Sequence, residues 1–377
     1  MRYTEQEARA KIVEAGIELL EAGLTIRTWG NISARLDEDT ILITPSGRGY
    51  DLLQPEDITL LHLKDMSWEG PYKPSSEKKV HASVYRHRDD VDFIIHTHQY
   101  MASAISIAGR DYILSSEESS KELGRTVPCA SYGMSSTKML EKAVEECVVE
   151  YPQSNSMLMR SHGALIFGEN KEQTMERAKI LEKECSQAFM KKDPEQSFRE
   201  RYGTEDEPVD IGSSIRTDNG ILYHQRCGEV RLHTSEDAET AMQKIHWNAY
   251  HMKSSIGCIR YITHPAVMAY SLAGKEMPAV LDDVAQITGA RVPCVNSPEE
   301  ADISRLLTKH AMVLVRGNGA LVCGPDEEEA EARAQILIKG AYTALYRDTI
   351  GTEFRVKALD ANIQKIFYEK KYSKLKG

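Results

Sequence analysis

The chain carries one stretch twice, and this repetition constrains its fold more than any other feature. Leu158-Met159-Arg160-Ser161-His162-Gly163-Ala164-Leu165-Ile166-Phe167-Gly168 returns as Leu314-Val315-Arg316-Gly317-Asn318-Gly319-Ala320-Leu321-Val322-Cys323-Gly324. The likeness runs on, with Arg177-Ala178 and Ile180-Leu181 matching Arg333-Ala334 and Ile336-Leu337. Ala108-Gly109-Arg110 and Val127-Pro128-Cys129 match Ala273-Gly274-Lys275 and Val292-Pro293-Cys294 at a constant offset. Duplication accounts for this, so the chain is expected to fold as two tandem copies of one domain. The 377 residues suffice for two such cores. The expected division is a first domain over residues 1–192, a polar and charged linker over 193–213, a second domain over 214–350, and a Lys-rich helical tail over 351–377.

Local pattern places helices and strands alternately in the first copy. Thr4 caps a helix to Leu20, with Glu7 three residues on and Ala8, Ile12, Ala15 and Leu19 at helical spacing. Thr28 to Leu36 and Thr40 to Ile43 read as strands, followed by the turn Thr44-Pro45-Ser46-Gly47. Pro74-Ser75-Ser76-Glu77 opens an amphipathic helix, with the two serines at its N-terminus, Glu77 in its first turn and His81 read as a packed residue. Thr137 to Glu150 and Lys171 to Met190 are further helices, and Met157 to Arg160 is a strand that delivers Ser161-His162-Gly163 to its end.

Chemistry enters at Ile94-Ile95-His96-Thr97-His98. Side chains two apart on a strand share a face, so one cation could take both imidazoles. Neutral imidazole is the commonest protein ligand for a divalent transition metal, and His162 and Glu77 are available to complete a set. Gly30 and Gly47 permit close backbone approach, and Asn31, Ser46, Ser75 and Ser76 supply neutral donors for an anion. In the second copy Asn318 replaces His162, and either Ile262-Thr263-His264 or Tyr261-Ile262-Thr263 replaces His96-Thr97-His98. No counterpart of Trp29-Gly30-Asn31 or of Pro74-Ser75-Ser76-Glu77 is visible there. The second copy therefore reads as a structural or site-covering domain without its own metal.

Bulk properties exclude several classes. A net charge of −10 opposes binding to nucleic acid or to an anionic membrane surface. No apolar run approaches the roughly 20 residues that span a bilayer. The seven cysteines are odd in number and never in Cys-x-x-Cys spacing, which points to reduced thiols in a cytoplasmic setting.

Five motifs in order, Trp29-Gly30-Asn31-Ile32-Ser33-Ala34-Arg35, Thr44-Pro45-Ser46-Gly47, Pro74-Ser75-Ser76-Glu77, His96-Thr97-His98 and Ser161-His162-Gly163, make the first half resemble the class II aldolase/adducin family. The resemblance covers about residues 5 to 190. It implies an α/β fold, an α/β/α sandwich with a mainly antiparallel central sheet, here in two tandem copies of which the second is degenerate. It implies a metal, usually Zn2+ with Mn2+ as another option, held by His96, His98 and His162, with Glu77 as both ligand and base. It assigns phosphate binding to Thr28, Asn31, Ser46, Gly47, Ser75 and Ser76.

The resemblance further implies a lyase that cleaves a phosphorylated ketose to dihydroxyacetone phosphate and an aldehyde through a zinc-stabilised enediolate. Sugar-phosphate 4-epimerisation, decarboxylation or dehydration are alternatives at the same metal site. A non-catalytic adducin-like module would instead show broken ligands. The family's sites lie between subunits, so a homo-oligomer with its site near a domain or subunit interface is expected. One departure stands out: where the aldolases use a tyrosine after the His-x-His strand, this chain has Glu117, with Glu118 and Lys121 nearby. Glu117 is therefore the candidate second acid.

Overall fold

The computed structural model describes residues 3–26, 29–114, 116–203, 207–298 and 303–372. They form two compact units, one built on Met1–Lys191 and the other on Lys192–Glu369.

The first unit opens with α1 (Glu5–Glu21), where Thr4 and Glu7 close a reciprocal capping box. An antiparallel meander follows: β1 (Gly30–Arg35), β2 (Thr40–Ile43), β3 (Thr59–His62) and β4 (Trp68–Glu69). Then come α2 (Lys78–His87), β5 (Phe93–Thr97), α3 (Tyr100–Ser106), β6 (Tyr112–Ile113), α4 (Glu117–Leu123) and β7 (Thr126–Val127). The unit ends with β8 (Cys129–Ala130), α5 (Lys138–Glu150), β9 (Ser156–Met159), β10 (Gly163–Gly168) and α6 (Lys171–Lys192). The sheet order is β4-β3-β2-β1-β5-β10-β9-β8, antiparallel throughout except for β8 beside β9.

Strand parity sorts the side chains between two helical layers. Ile94 of β5 joins Ile41, Ile43, Leu165 and Phe167 beneath Val80 and Val84 of α2 and Leu140 and Val144 of α5. The opposite face carries Ile32, Ile95 and Ile166, all fully buried, on the side of α1 and α6. His96 shares parity with Ile94, so it points toward α2 from the middle of the sheet.

The second unit repeats this plan. It comprises α7 (Pro194–Tyr202), β11 (Ser213–Thr217), β12 (Gly220–Gln225), β13 (Gly228–Leu232), α8 (Ala241–Met252), β14 (Cys258–Ile262) and α9 (Pro265–Ser271). It continues through β15 (Met277–Pro278), α10 (Asp282–Thr288), β16 (Arg291–Val292), β17 (Cys294–Val295), α11 (Ile303–Lys309), β18 (Met312–Val315), β19 (Ala320–Gly324), α12 (Glu327–Thr349) and α13 (Ala358–Tyr372). Its sheet runs β13-β12-β11-β14-β19-β18-β17, with the parallel pair again at the last edge. This order matches β3-β2-β1-β5-β10-β9-β8 of the first sheet.

The stretch expected as a linker, 193–213, contains the helix α7. Asp193 caps α7, and Phe198 is buried with its ring 5.5 Å from that of Tyr270. Burial of one aromatic face holds this otherwise charged stretch as a helix. The tail is helical as α13, where Gln364 donates to Asp282 at 2.8 Å.

Candidate metal centre

Three elements bring the site together. β5 delivers His96 and, one residue past its end, His98. The connection between β9 and β10 delivers His162, and the start of α2 delivers Glu77. All four are buried. Glu77 is the N-cap residue of α2 rather than a member of its first turn, with φ −100° and ψ 15°. Such half-in positions have non-helical backbone. From there its carboxylate meets the histidines rather than following the helix surface.

The imidazoles converge through their Nε2 atoms. His96 Nδ1 lies 2.8 Å from the carbonyl of Ala164, an acceptor only, so the proton sits on Nδ1 and the Nε2 lone pair is free to ligate. His96 Nε2 stands 3.0 Å from His98 Nε2 and 3.3 Å from Glu77 Oε2, while His162 Nε2 stands 3.2 Å from Glu77 Oε1. The ligating atoms of the three histidines lie within 4.8 Å of one another. Zinc–ligand distances of about 2.0–2.2 Å in a tetrahedral shell place ligand atoms about 3.3–3.6 Å apart. The donor set fits one divalent transition metal in its chemistry, and the separations of 3.0, 3.2 and 3.3 Å lie close to that range.

Two backbone features allow this approach. Ser161, a non-glycine residue, adopts φ 65°, and the turn closes with His162 N–H on the Met159 carbonyl at 3.0 Å. A Cβ on Gly163 would sit 2.2 Å from the Thr97 carbonyl oxygen, so only glycine lets β10 run this close to β5.

Glu77 is held on both carboxylate oxygens. Asn31 Nδ2 donates to Oε2 at 3.2 Å, and Ser135 Oγ donates to Oε1 at 2.9 Å. Burial alone would raise this carboxyl. The His162 and His96 rings at its two oxygens outweigh burial and hold it well below the usual carboxylate range. Asn31 reaches Glu77 because β1 pairs with β5 in a register that sets Asn31 opposite His96. Behind it, His81 Nε2 contacts Asn31 Oδ1, and Ser33 Oγ lies 2.6 Å from His81 Nδ1.

The residues expected to bind phosphate gather beside this cluster. An isolated bridge between Pro45 and Pro74 joins the Thr44–Gly47 turn to the Ser75–Ser76 segment. Ser46 N–H donates to the Lys73 carbonyl and Ser75 N–H to that of Thr44. Gly47 adopts φ 80°. Ser76 is exposed and accepts from Ser136 Oγ at 3.0 Å, while Ser75 Oγ accepts from the Glu77 N–H. Thr28 lies outside the described residues. Glu117 and Glu118 are exposed in the first turn of α4, and among the described residues no hydrogen bond or ion pair ties either to the histidines. Ser135, Ser136 and the role of His81 were not anticipated from sequence.

In the second unit β14 pairs with β19 so that Tyr261 stands opposite Leu321, as His96 stands opposite Leu165. The ungapped alternative therefore holds: Tyr261, Thr263 and Asn318 occupy the places of His96, His98 and His162. Asn318 Oδ1 accepts from the Val209 N–H at 2.7 Å, and Tyr261 OH donates to the Val209 carbonyl at 2.8 Å. The chain's own backbone thus bridges the positions of two ligands. Counterparts missing from the sequence reading also emerge: Ser214 matches Ser33, and Gly212 falls where Asn31 stands.

Several known proteins are similar to this chain. The family model described as class II aldolase and adducin N-terminal domain matches residues 10–189 and again 214–345. A 5-deoxy-D-ribulose 1-phosphate aldolase of Bacillus thuringiensis serovar kurstaki is 34% identical over 171 residues, covering 44% of this chain and 76% of that protein. An L-ribulose-5-phosphate 4-epimerase of Salmonella paratyphi C is 24% identical over 197 residues, covering 49% and 85%. The L-fuculose-1-phosphate aldolase structure from Thermus thermophilus is 26% identical, with a TM-score of 0.43, covering 48% of this chain and 93% of its own. With its motif-bearing half and its altered half both matched, the chain belongs to the class II aldolase and adducin N-terminal domain family.

Proposed function

We propose that the first unit is a metal-dependent aldolase that cleaves a phosphorylated ketose to dihydroxyacetone phosphate and an aldehyde. The observation that carries this reading is the cluster of three buried imidazoles, two of which meet through Nε2 a carboxylate held beside Ser75 and Ser76. The 34% identity to a 5-deoxy-D-ribulose 1-phosphate aldolase supports it.

In this reading His96, His98, His162 and Glu77 hold one divalent ion, Zn2+ by preference for this donor set and Mn2+ as the alternative. Such an ion would supply Lewis-acid stabilisation of negative charge developing on the substrate oxygens. The protein's own groups do the rest. Ser46, Gly47, Ser75, Ser76 and Asn31, with Thr28, receive the phosphate through hydroxyls, an amide and backbone N–H groups, a neutral cradle suited to a chain of net negative charge. Glu77, displaced as substrate enters, moves the proton at C3 of the dihydroxyacetone phosphate moiety. Glu117 is proposed as the acid for the aldehyde oxygen; its exposure leaves it free to meet substrate. The free state of all seven cysteines supports a reducing, cytoplasmic setting, and a homo-oligomer is proposed by analogy with the family.

The epimerase relative favours a second reading, in which the same site inverts C4 of a pentulose 5-phosphate. One experiment separates the two. Purified protein is assayed for bound metal and then incubated with ketose 1-phosphates and with L-ribulose 5-phosphate, wild type and Glu77→Gln in parallel. The aldolase reading expects dihydroxyacetone phosphate from a ketose 1-phosphate and a loss of about 10²–10⁴-fold in the variant. Release of no carbonyl fragment from any 1-phosphate, with xylulose 5-phosphate formed instead, overturns it in favour of epimerisation.

A further inference from the structure

We infer that His81 is a positioning residue: through Asn31 it fixes the orientation of the Glu77 carboxylate. The inference rests on the reading of Glu77 as metal ligand and base, and it starts from the direction of a buried hydrogen-bond chain.

Glu77 as a carboxylate can only accept, so the Asn31 atom 3.2 Å from its Oε2 is the amide nitrogen. Asn31 therefore turns Oδ1 toward His81, which must donate from Nε2. Burial pushes the His81 pKa down to about 3, so the ring is neutral and carries a single proton, as its two hydrogen bonds also require. Its Nδ1 accepts from Ser33 Oγ at 2.6 Å, and Ser33 in turn accepts from Tyr85 OH at 2.9 Å. Every donor in the series Tyr85, Ser33, His81, Asn31 points the same way, and the series ends on Glu77. No rotor along it can reverse without breaking a buried bond and leaving a buried polar group unsatisfied.

The second unit supplies an internal control. Ser214 Oγ lies 2.6 Å from His246 Nδ1 and 3.0 Å from Tyr250 OH. His246 Nε2 lies 3.2 Å from the Ile211 carbonyl, which can only accept, so the tautomer is the same. There the series stops at the backbone, because Gly212 has no side chain to pass it on. A His–Ser–Tyr group is thus sufficient as scaffold in one unit. Only the unit with the histidine cluster extends it, by one asparagine, to a carboxylate.

The test compares His81→Leu, His81→Gln and His246→Leu in the full chain, each loaded with Co2+, whose visible spectrum reports the ligands around it. A glutamine amide can accept from Ser33 and donate to Asn31, as the imidazole does. His81→Leu is expected to change the cobalt spectrum and to lower kcat about 10- to 100-fold with KM held within about twofold. His81→Gln is expected to restore most of both, and His246→Leu to leave both unchanged. An unaltered cobalt spectrum in His81→Leu, or a kcat loss no larger than that of His246→Leu, overturns the inference. If His81→Leu fails to fold, His81→Asn replaces it, since that amide is too short to reach Asn31 while bonded to Ser33. Failure of the aldolase reading is distinguishable: wild type would turn over none of the sugar phosphates, while the cobalt spectra would still judge His81.

Discussion

The two units are built alike where they pack and differently where one of them carries chemistry. Arg35 donates to the Tyr85 carbonyl at 2.5 Å with its guanidinium 4.8 Å from the Tyr85 ring. Arg216 does the same to Tyr250 at 2.6 Å and 5.0 Å. The turn before β10 and the turn before β19 both pass through a φ of 65°, at Ser161 and at Gly317. What differs is a handful of side chains at the ends of otherwise matching strands. Scaffold and histidine cluster are therefore separable in this fold, and the second unit records the scaffold alone.

The largest effect that would test this separation is loss of the metal. His162→Asn gives the first unit the residue of the second. It is expected to lower metal affinity by more than the roughly 100-fold typical of removing a supporting contact to a ligand, with activity falling in step. Metal analysis after dialysis checks this. The reverse change, Asn318→His, is expected to bring no second metal per chain, because Val209 already lies between Tyr261 and Asn318. Stoichiometric gain of a second ion would break the comparison.

Next in size is a feature peculiar to the second unit, the fully buried pair of Lys339 and Asp283, with Nζ and Oδ2 2.6 Å apart. In the first unit Lys183, at the matching place on α6, is exposed. Lys339→Met leaves a buried carboxylate without its cation and is expected to cost about 3–5 kcal/mol, read as a lower urea midpoint. Adding Asp283→Leu should recover most of it.

Acid sensitivity should be shared by the two units. Burial lowers His81 to about 3 and His246 to about 4 from 6.5. The unfolded chain therefore takes up these protons first, and stability is full above about pH 6.5 and falls as pH drops from there toward 4. The slope reaches about 1.4 kcal/mol per pH unit for each ring. His246→Gln should flatten the slope by one ring's share in urea titrations between pH 7 and 5.

The smallest effect concerns the shared turn. Gly317→Ser is expected to destabilise by about 1 kcal/mol, and Ser161→Gly to stabilise by up to about that amount with metal content unchanged. Differential scanning calorimetry would resolve both.

Much of this was legible in the sequence, for identifiable reasons. His96 and His98 are two apart on a strand, so parity alone gives them a common side, and Glu77 follows two serines at a helix start. The repeat was legible where glycines and apolar strands preserve it. The link from Asn31 to Glu77 was not, because it depends on how β1 and β5 align across about 60 intervening residues, a register no local pattern encodes. Ser135 was hidden for a similar reason: a serine in a polar loop gives no sign of what it faces. The match of Ser214, His246 and Tyr250 to Ser33, His81 and Tyr85 escaped notice since single residues scattered over two helices and two strands form no motif. The helix α7 is not legible in the sequence because its charge outweighs the one buried aromatic that anchors it.

Val209 also bears on history. A catalytic centre silenced by point substitutions alone could be revived by reverting them, one at a time. Here the vacated ligand positions have been taken up by main chain, which no single codon change removes. Building three ligands into the second copy would demand deletion or rerouting of that segment together with several replacements, so no single substitution recreates there the histidine cluster of the first.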